Sequence, residues 1–294
     1  MTKLKRRRIA FSDGAVGIIL ILPALAIFLS IILYPFVNSV FMSFTNKTLM
    51  NPDYALVGLR NYQKVFADPT FVRTLKNTGV FVFFSTLLPF VLGMIWAIIL
   101  NKKFRGAGFL RAVTLVDWII PGASISFLWS FIFDANHGLV NEILKSLGVI
   151  STNINFLGQS GTAMAVVIIA RTWQMLPWYM AFLTGGLQGI EFDQIEAARI
   201  DGADNLQVFR YIVLPGMSSI ISIVLVLGII GNLQHFDIPK VLTAGGPAGA
   251  TTIFSISVYR QAFESYKVGM AATIGTIWAV LLAAFSFLYT RRAS

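Results

Sequence analysis

The chain has 294 residues, of which 56% are hydrophobic and only 12% charged, and its mean hydropathy is +0.75. A soluble globular chain carries about 25% charged residues and could not hide this much apolar surface in one core, which excludes soluble enzymes, secreted disulfide scaffolds and disordered linkers. With no cysteine and only two histidines, His137 and His235, a metal-based catalytic centre is not expected, and the net charge of +10 reads as membrane orientation ahead of nucleic-acid binding.

A basic run, Lys3 to Arg8, precedes an apolar stretch that starts at Gly14 and continues through Pro35. That stretch outruns the ~7–15 residues of a signal-peptide core and has no small-residue cleavage site, so it predicts an uncleaved anchor. Crossing the hydrocarbon takes about 20 apolar residues. The charge-free runs 14–46, 77–101, 211–236 and 268–290 predict spans at 14–40, 78–100, 216–236 and 269–290. Two further stretches, 110–133 and 161–185, are apolar except for Arg111 at the edge and Asp117 within the first, and Arg171 within the second. The expected architecture is therefore an all-α integral membrane protein with six transmembrane helices. The short segments 1–14, 101–111, 186–214 and 291–294 hold 13 of the 23 Lys and Arg, against nine in the longer segments 41–77, 134–160 and 237–270. This bias predicts both termini in the cytoplasm.

The cytoplasmic segment 186–215 is too long for a turn and rich in acid: Glu191, Asp193, Glu196, Asp201 and Asp204. Ile195, Ala198 and Ile200, then Leu206, Phe209, Ile212 and Val213, recur at helical spacing on either side of Gly202. A glycine ends a helix readily in the left-handed conformation, and Pro215 suits the first turn of the fifth span. The expected form is helix, bend, helix at the membrane surface. It serves either to dock a partner, with Ala197 and Ala198 allowing close approach, or merely to anchor the loop in the interface.

Glu196-Ala-Ala-Arg-Ile-Asp-Gly-Ala203, with Phe209, Ile212 and Leu214-Pro215 behind it, resembles the EAA signature of ABC importer permeases. Val57-Gly-Leu-Arg-Asn-Tyr62 with Phe66, Asp68-Pro69 and Asn77-Thr78, and Leu242-Thr-Ala-Gly-Gly-Pro247 with Tyr259-Arg260 and Ala262-Phe263, are similar to the sugar-uptake, MalF/UgpA-like branch. The resemblance covers the chain from first span to last. It implies the type I ABC importer permease fold, with a basic cytoplasmic N-terminus over 1–13 and a permease domain over 14–294. Within that domain the transmembrane core would occupy about 72–290 and the coupling loop 186–215. Coupling to the ATPase would then fall to Glu196, Ala197, Ala198, Asp201, Gly202, Ala203, Leu214 and Pro215. The implied partners are a sister permease, two ATP-binding subunits carrying Mg-ATP, and an extracytoplasmic sugar-binding protein. The implied location is a bacterial inner membrane. The chain itself has no G-x-x-x-x-G-K-[ST] phosphate loop, so it is expected to bind no cofactor and to catalyse nothing.

Ionisable and amide groups inside a membrane are costly and mark function by default. The third predicted span carries Asp117-Trp118 and Pro121-Gly122, the fourth Arg171, Trp173, Gln174 and Trp178 around Pro177, and the fifth Asn232, Gln234, His235 and Asp237. Arg171, Gln174 and Trp178 share one helical face, as do Asn232 and His235. Aromatic faces beside amide, charged and imidazole groups suit a sugar. The resemblance places sugar contacts at Trp118, Gly122, Arg171, Gln174, Trp178, Asn232 and His235, with Gly122 and Arg171 departing from the hydroxyl and amide the family carries there. Against this stand packing tryptophans, an Arg171–Asp117 ion pair, a hydrogen-bonded His235 at a helix end and a simple turn at Gly245-Gly-Pro247. An unpaired Arg171 would suit an anionic sugar. The expected function is the permease of an ATP-driven importer of a sugar or sugar derivative. A membrane-embedded transferase or an ATP-independent channel or secondary transporter is the alternative.

Overall fold

The computed structural model describes residues 13–51, 53–102 and 104–293. The basic run Lys3 to Arg8, read as cytoplasmic, lies outside the described residues. The first span is helix α1 (Asp13–Ile27), a π-helical turn (Phe28–Leu33) and α2 (Tyr34–Ser43). Pro35 has no N–H to offer the carbonyl four residues back, and the helix widens beside it: the Tyr34 N–H reaches back five residues to Leu29.

After the interfacial helix α3 (Arg60–Ala67), α4 runs from Pro69 to Asn101. Asp68 starts it, accepting the Thr70 N–H at 2.8 Å, with Pro69 in the first turn. Its 33 residues span about 50 Å, against a hydrocarbon core of roughly 30 Å. The helix thus begins well before the predicted residue 78 and carries Arg73 and Asn77 beyond the apolar layer.

The third span is not one helix. Helices α5 (Ala107–Ile119) and α6 (Gly122–Ile132) meet at 100°. Proline disfavours the helical conformation in the residue before it, and Ile120 is extended at φ −69°, ψ 129° ahead of Pro121. A short α7 (Leu139–Ser146) leads to α8 (Ala163–Gln188), the fourth span. The loop contributes α9 (Phe192–Ile200) and α10 (Asn205–Val208), then a π-helical turn (Phe209–Val213) and the single turn α11 (Leu214–Gly216). A 69° bend separates this run from α12 (Ser218–Leu233). The fifth span therefore starts past Pro215 and ends sooner than expected. Helices α13 (Asp237–Thr243) and α14 (Phe254–Tyr259) cap the outer end, and α15 (Val268–Ala293) is the sixth span. Among the described residues four helices are long and apolar enough to cross a membrane, and six spans result when each bent pair counts as one.

Helices α4 and α8 form the most extensive pair, with α12 against both and α15 against α2. Two glycines allow the approach: a Cβ on Gly93 would lie 2.7 Å from Tyr179 Cβ, and one on Gly228 would overlap the Tyr179 hydroxyl. One apolar cluster fills the half read as cytoplasmic, around Ala97, Leu100, Met180 and Leu183. A second fills the outer half, around Phe81, Ile125, Val167 and Ile238. The segments read as extracytoplasmic do meet at one end: Thr273 Oγ1 donates to the Ser43 carbonyl at 3.0 Å, and Asn77 Nδ2 to the Gly249 carbonyl at 2.9 Å.

Candidate functional site

Between the two apolar clusters lies a polar network. Arg171 Nε donates to Asn232 Oδ1 at 2.8 Å, and Arg171 Nη1 to Gln174 Oε1 at 2.6 Å. Asn232 Nδ2 donates in turn to the Ser85 carbonyl at 2.9 Å and Thr86 Oγ1 at 3.0 Å. The three side-chain owners are 8%, 9% and 1% exposed in the order Arg171, Gln174, Asn232. A single chain of hydrogen bonds thus ties the middle of α4 to α8 and to the last turn of α12.

Among the described residues no ion pair joins Arg171 to Asp117; its partners are neutral amides. The guanidinium is hydrogen-bonded by amide oxygens, and the acid whose charge reaches it is Asp237, which makes no direct ion pair with it among the described residues.

The other expected pathway residues make no hydrogen bond to this network, although His235 lies within reach of the Arg171 charge. Trp178 packs into the inner cluster, 4.9 Å from the Tyr179 ring and 4.7 Å from Phe182, rather than beside Arg171. Trp118 is 49% exposed on α5. Gly122 opens α6 against Asp237: a Cβ there would sit 3.0 Å from Asp237 Cβ. His235 stacks on Phe81 at 6.1 Å, its Nε2 buried without a hydrogen-bond partner, while its carbonyl accepts the Ser255 hydroxyl at 2.7 Å. Ser85 and Thr86, which complete the network, escaped the sequence reading because hydroxyls in an apolar run leave hydropathy unbroken. Their adjacency at the centre of a long span was the available signal.

In the cytoplasmic loop, α9 closes on a paired terminal motif. The Ala203 N–H reaches the Ala198 carbonyl at 2.9 Å and the Gly202 N–H the Arg199 carbonyl at 3.1 Å, with Gly202 left-handed at φ +89°. Asp204 then caps α10 reciprocally with Gln207, both bonds 2.8 Å. Ile195, Ala198, Ala203 and Leu214 pack on the inner cluster. Glu196, Ala197, Asp201, Gly202 and Pro215 are exposed. Ile200 is 80% exposed, and Leu206 is exposed as well. The exposed acids thus flank an apolar patch that this chain does not cover.

Residues 90–292 match the family described as binding-protein-dependent transport system inner membrane component. The chain belongs to this family. It is a multi-pass inner-membrane permease component. Over 97% of its length it is 34% identical to the trehalose/maltose transport system permease protein MalF of Thermococcus litoralis, spanning 95% of that relative. It is 32% identical to the multiple sugar-binding transport system permease protein MsmF of Streptococcus mutans, with 87% of each chain covered. Among solved structures it superposes on a chain of a bacterial ABC transporter involved in the import of the acidic polysaccharide alginate. That match has a TM-score of 0.81 at 20% identity and covers 94% of both chains. The permease fold is thus the type I ABC importer fold, with the bent third and fifth spans as its local departures from straight helices.

Proposed function

We propose that this permease forms half of the translocation path of an ATP-driven saccharide importer, working with a sister permease, two ATP-binding subunits and an extracytoplasmic receptor. The observation that carries the saccharide reading is the buried amide–guanidinium network, supported by two sugar-system relatives. A buried guanidinium with amide neighbours offers hydroxyl and anionic groups of a sugar what water offered them. Coupling is proposed to run through Glu196, Ala197, Asp201 and Gly202, exposed on the rigidly terminated α9. Ala198, Ala203, Leu214 and Pro215 would transmit movement to the inner cluster and α12. ATP would be bound and hydrolysed on the partner subunits, with no chemistry in this chain.

The test is uptake by the assembled complex in vesicles, with neutral oligosaccharides and uronate- or phosphate-bearing ones offered in parallel. ATP-dependent uptake of at least one saccharide is expected, and Arg171→Gln is expected to depress anionic cargo at least tenfold more than neutral cargo. Uptake without ATP would overturn the importer reading. Equal loss of both cargo types would assign Arg171 to structure alone.

A further inference from the structure

Orientation accounts for the basic residues on the cytoplasmic side but not for the nine in the outer segments, which face only six acids. Two of the nine, Arg73 and Arg260, line one recess of about 220 Å³ between the outer end of α4, the loop after α13 and helix α14. Hydroxyls of Thr70, Thr252 and Ser257 share the lining, and no carboxylate does. Gln261 closes the wall with its Oε1 sealed from solvent, so it presents no repelling acceptor.

Both guanidinia are fixed by neutral groups. Arg73 Nη1 donates to the Ala248 carbonyl at 2.9 Å; Arg260 donates to Thr252 Oγ1 at 3.2 Å and the Ala244 carbonyl at 2.6 Å. Glu264 lies 3.8 Å from Arg260 Nε but is held at 2.6 Å by Lys240, and Asp68 is engaged by the Thr70 N–H at 2.8 Å. Both arginines thus face a recess whose lining holds no carboxylate. The loop cannot swing away from them. Asn77 Nδ2 holds the Gly249 and Thr252 carbonyls at 2.9 and 3.1 Å, and the Phe254 N–H donates to Thr78 Oγ1 at 3.1 Å. The donors are set before any partner arrives, which removes the ordering cost of binding.

We propose that this recess is a socket for a carboxylate side chain of the extracytoplasmic receptor, clasped between Arg73 and Arg260 when the receptor docks. The inference rests on the importer reading. Its volume admits one acidic side chain and a few waters, at about 30 Å³ per water, and not a helix or an oligosaccharide. Guanidinium forks bind carboxylate in two parallel bonds, fixing orientation as well as adding attraction.

The experiment is receptor-stimulated ATPase activity of the assembled complex in vesicles, titrated with receptor at low and high salt, with and without anionic phosphatidylglycerol. Thr70→Glu sets a carboxylate at the mouth of the socket while leaving both arginine clamps in place. It is expected to raise the receptor concentration for half-maximal stimulation about tenfold at low salt and to flatten the salt dependence, the signature of a lost charge contact. Arg73→Gln is expected to do the same, and Lys64→Gln, an outer cation on α3, to leave half-saturation unmoved. An unchanged titration for Thr70→Glu overturns the socket and leaves the arginines as loop clamps. A shift seen only in vesicles containing the anionic lipid overturns it in favour of a phosphate headgroup. A wild-type complex that no receptor stimulates overturns the importer reading and the socket with it.

Discussion

Arg171 occupies the place where a cation is most expensive, and its neighbours set what its removal costs. Asn232 serves three partners at once, Arg171, the Ser85 carbonyl and Thr86, so its loss strands a buried guanidinium. Breaking a buried charge's contacts costs roughly 3–5 kcal/mol, whereas replacing the charge itself by an apolar side chain of similar volume is often near neutral. Asn232→Ala is therefore expected to destabilise the detergent-purified permease by about 3 kcal/mol and Arg171→Met by less than half of that, read from thermal unfolding. The reverse order would mean that Arg171 is neutralised by a group outside this network. The sequence named Arg171, Gln174 and Asn232 because each breaks an apolar run. It could not exclude Trp178, since a helix wheel gives one face, whereas the faces of α8 meet α12 at one level and the inner cluster at another.

At the scale of elements, glycine and proline positions were legible and their angles were not. Gly202 was readable as a helix end, and it is one; Pro121 was in view, yet counting apolar residues still predicted a straight span where Ile120 turns the chain by 100°. The motifs that carry the family resemblance have structural tasks that no spacing rule discloses. Asn61 Nδ2 ties down the Ser43 and Thr45 carbonyls at 3.0 and 2.8 Å, and Asp68 starts α4. In the cytoplasmic loop the two halves of the bend are separately testable. Gly202→Val forces a β-branched residue into the left-handed region, costing about 1–2 kcal/mol, and Asp204→Ala removes a cap worth about 1 kcal/mol. Both changes tilt α9 against its seat without touching the spans. Each is expected to preserve membrane insertion and the thermal midpoint within about 3 °C while lowering the ratio of cargo moved to ATP hydrolysed. Unaltered coupling in both variants would remove α9 from the force path and leave it as an interfacial anchor.

For the whole molecule, hydropathy fixed the number of crossings but not the way they close on one another. The first span, Leu20–Ser43, leaves its apolar side chains uncovered by its own chain, consistent with lipid or a neighbouring subunit as its surroundings. The bundle itself converges on Tyr179, fully buried on α8, with Gly93 of α4 on one side and Gly228 of α12 on the other. The two glycines meet different atoms of that tyrosine, and this difference can be measured. A methyl at Gly228 collides with the hydroxyl at the tip of the ring, so removing the hydroxyl relieves the worst overlap and leaves Cζ at 2.9 Å, where the ring tip can shift. A methyl at Gly93 collides with Tyr179 Cβ and the Met180 backbone N, at 3.0 Å from the latter, and no side-chain change relieves it. Overpacking of this kind costs typically 1–3 kcal/mol. Gly228→Ala is expected to lose about 2 kcal/mol and to recover part of it in combination with Tyr179→Phe. Gly93→Ala is expected to lose at least as much and to recover none with the same partner change. Thermal unfolding of the wild type, the three single variants and the two double variants supplies the cycle. Equal rescue at both glycines would show that α4 and α12 move as one body against α8, instead of packing on it independently at two contacts.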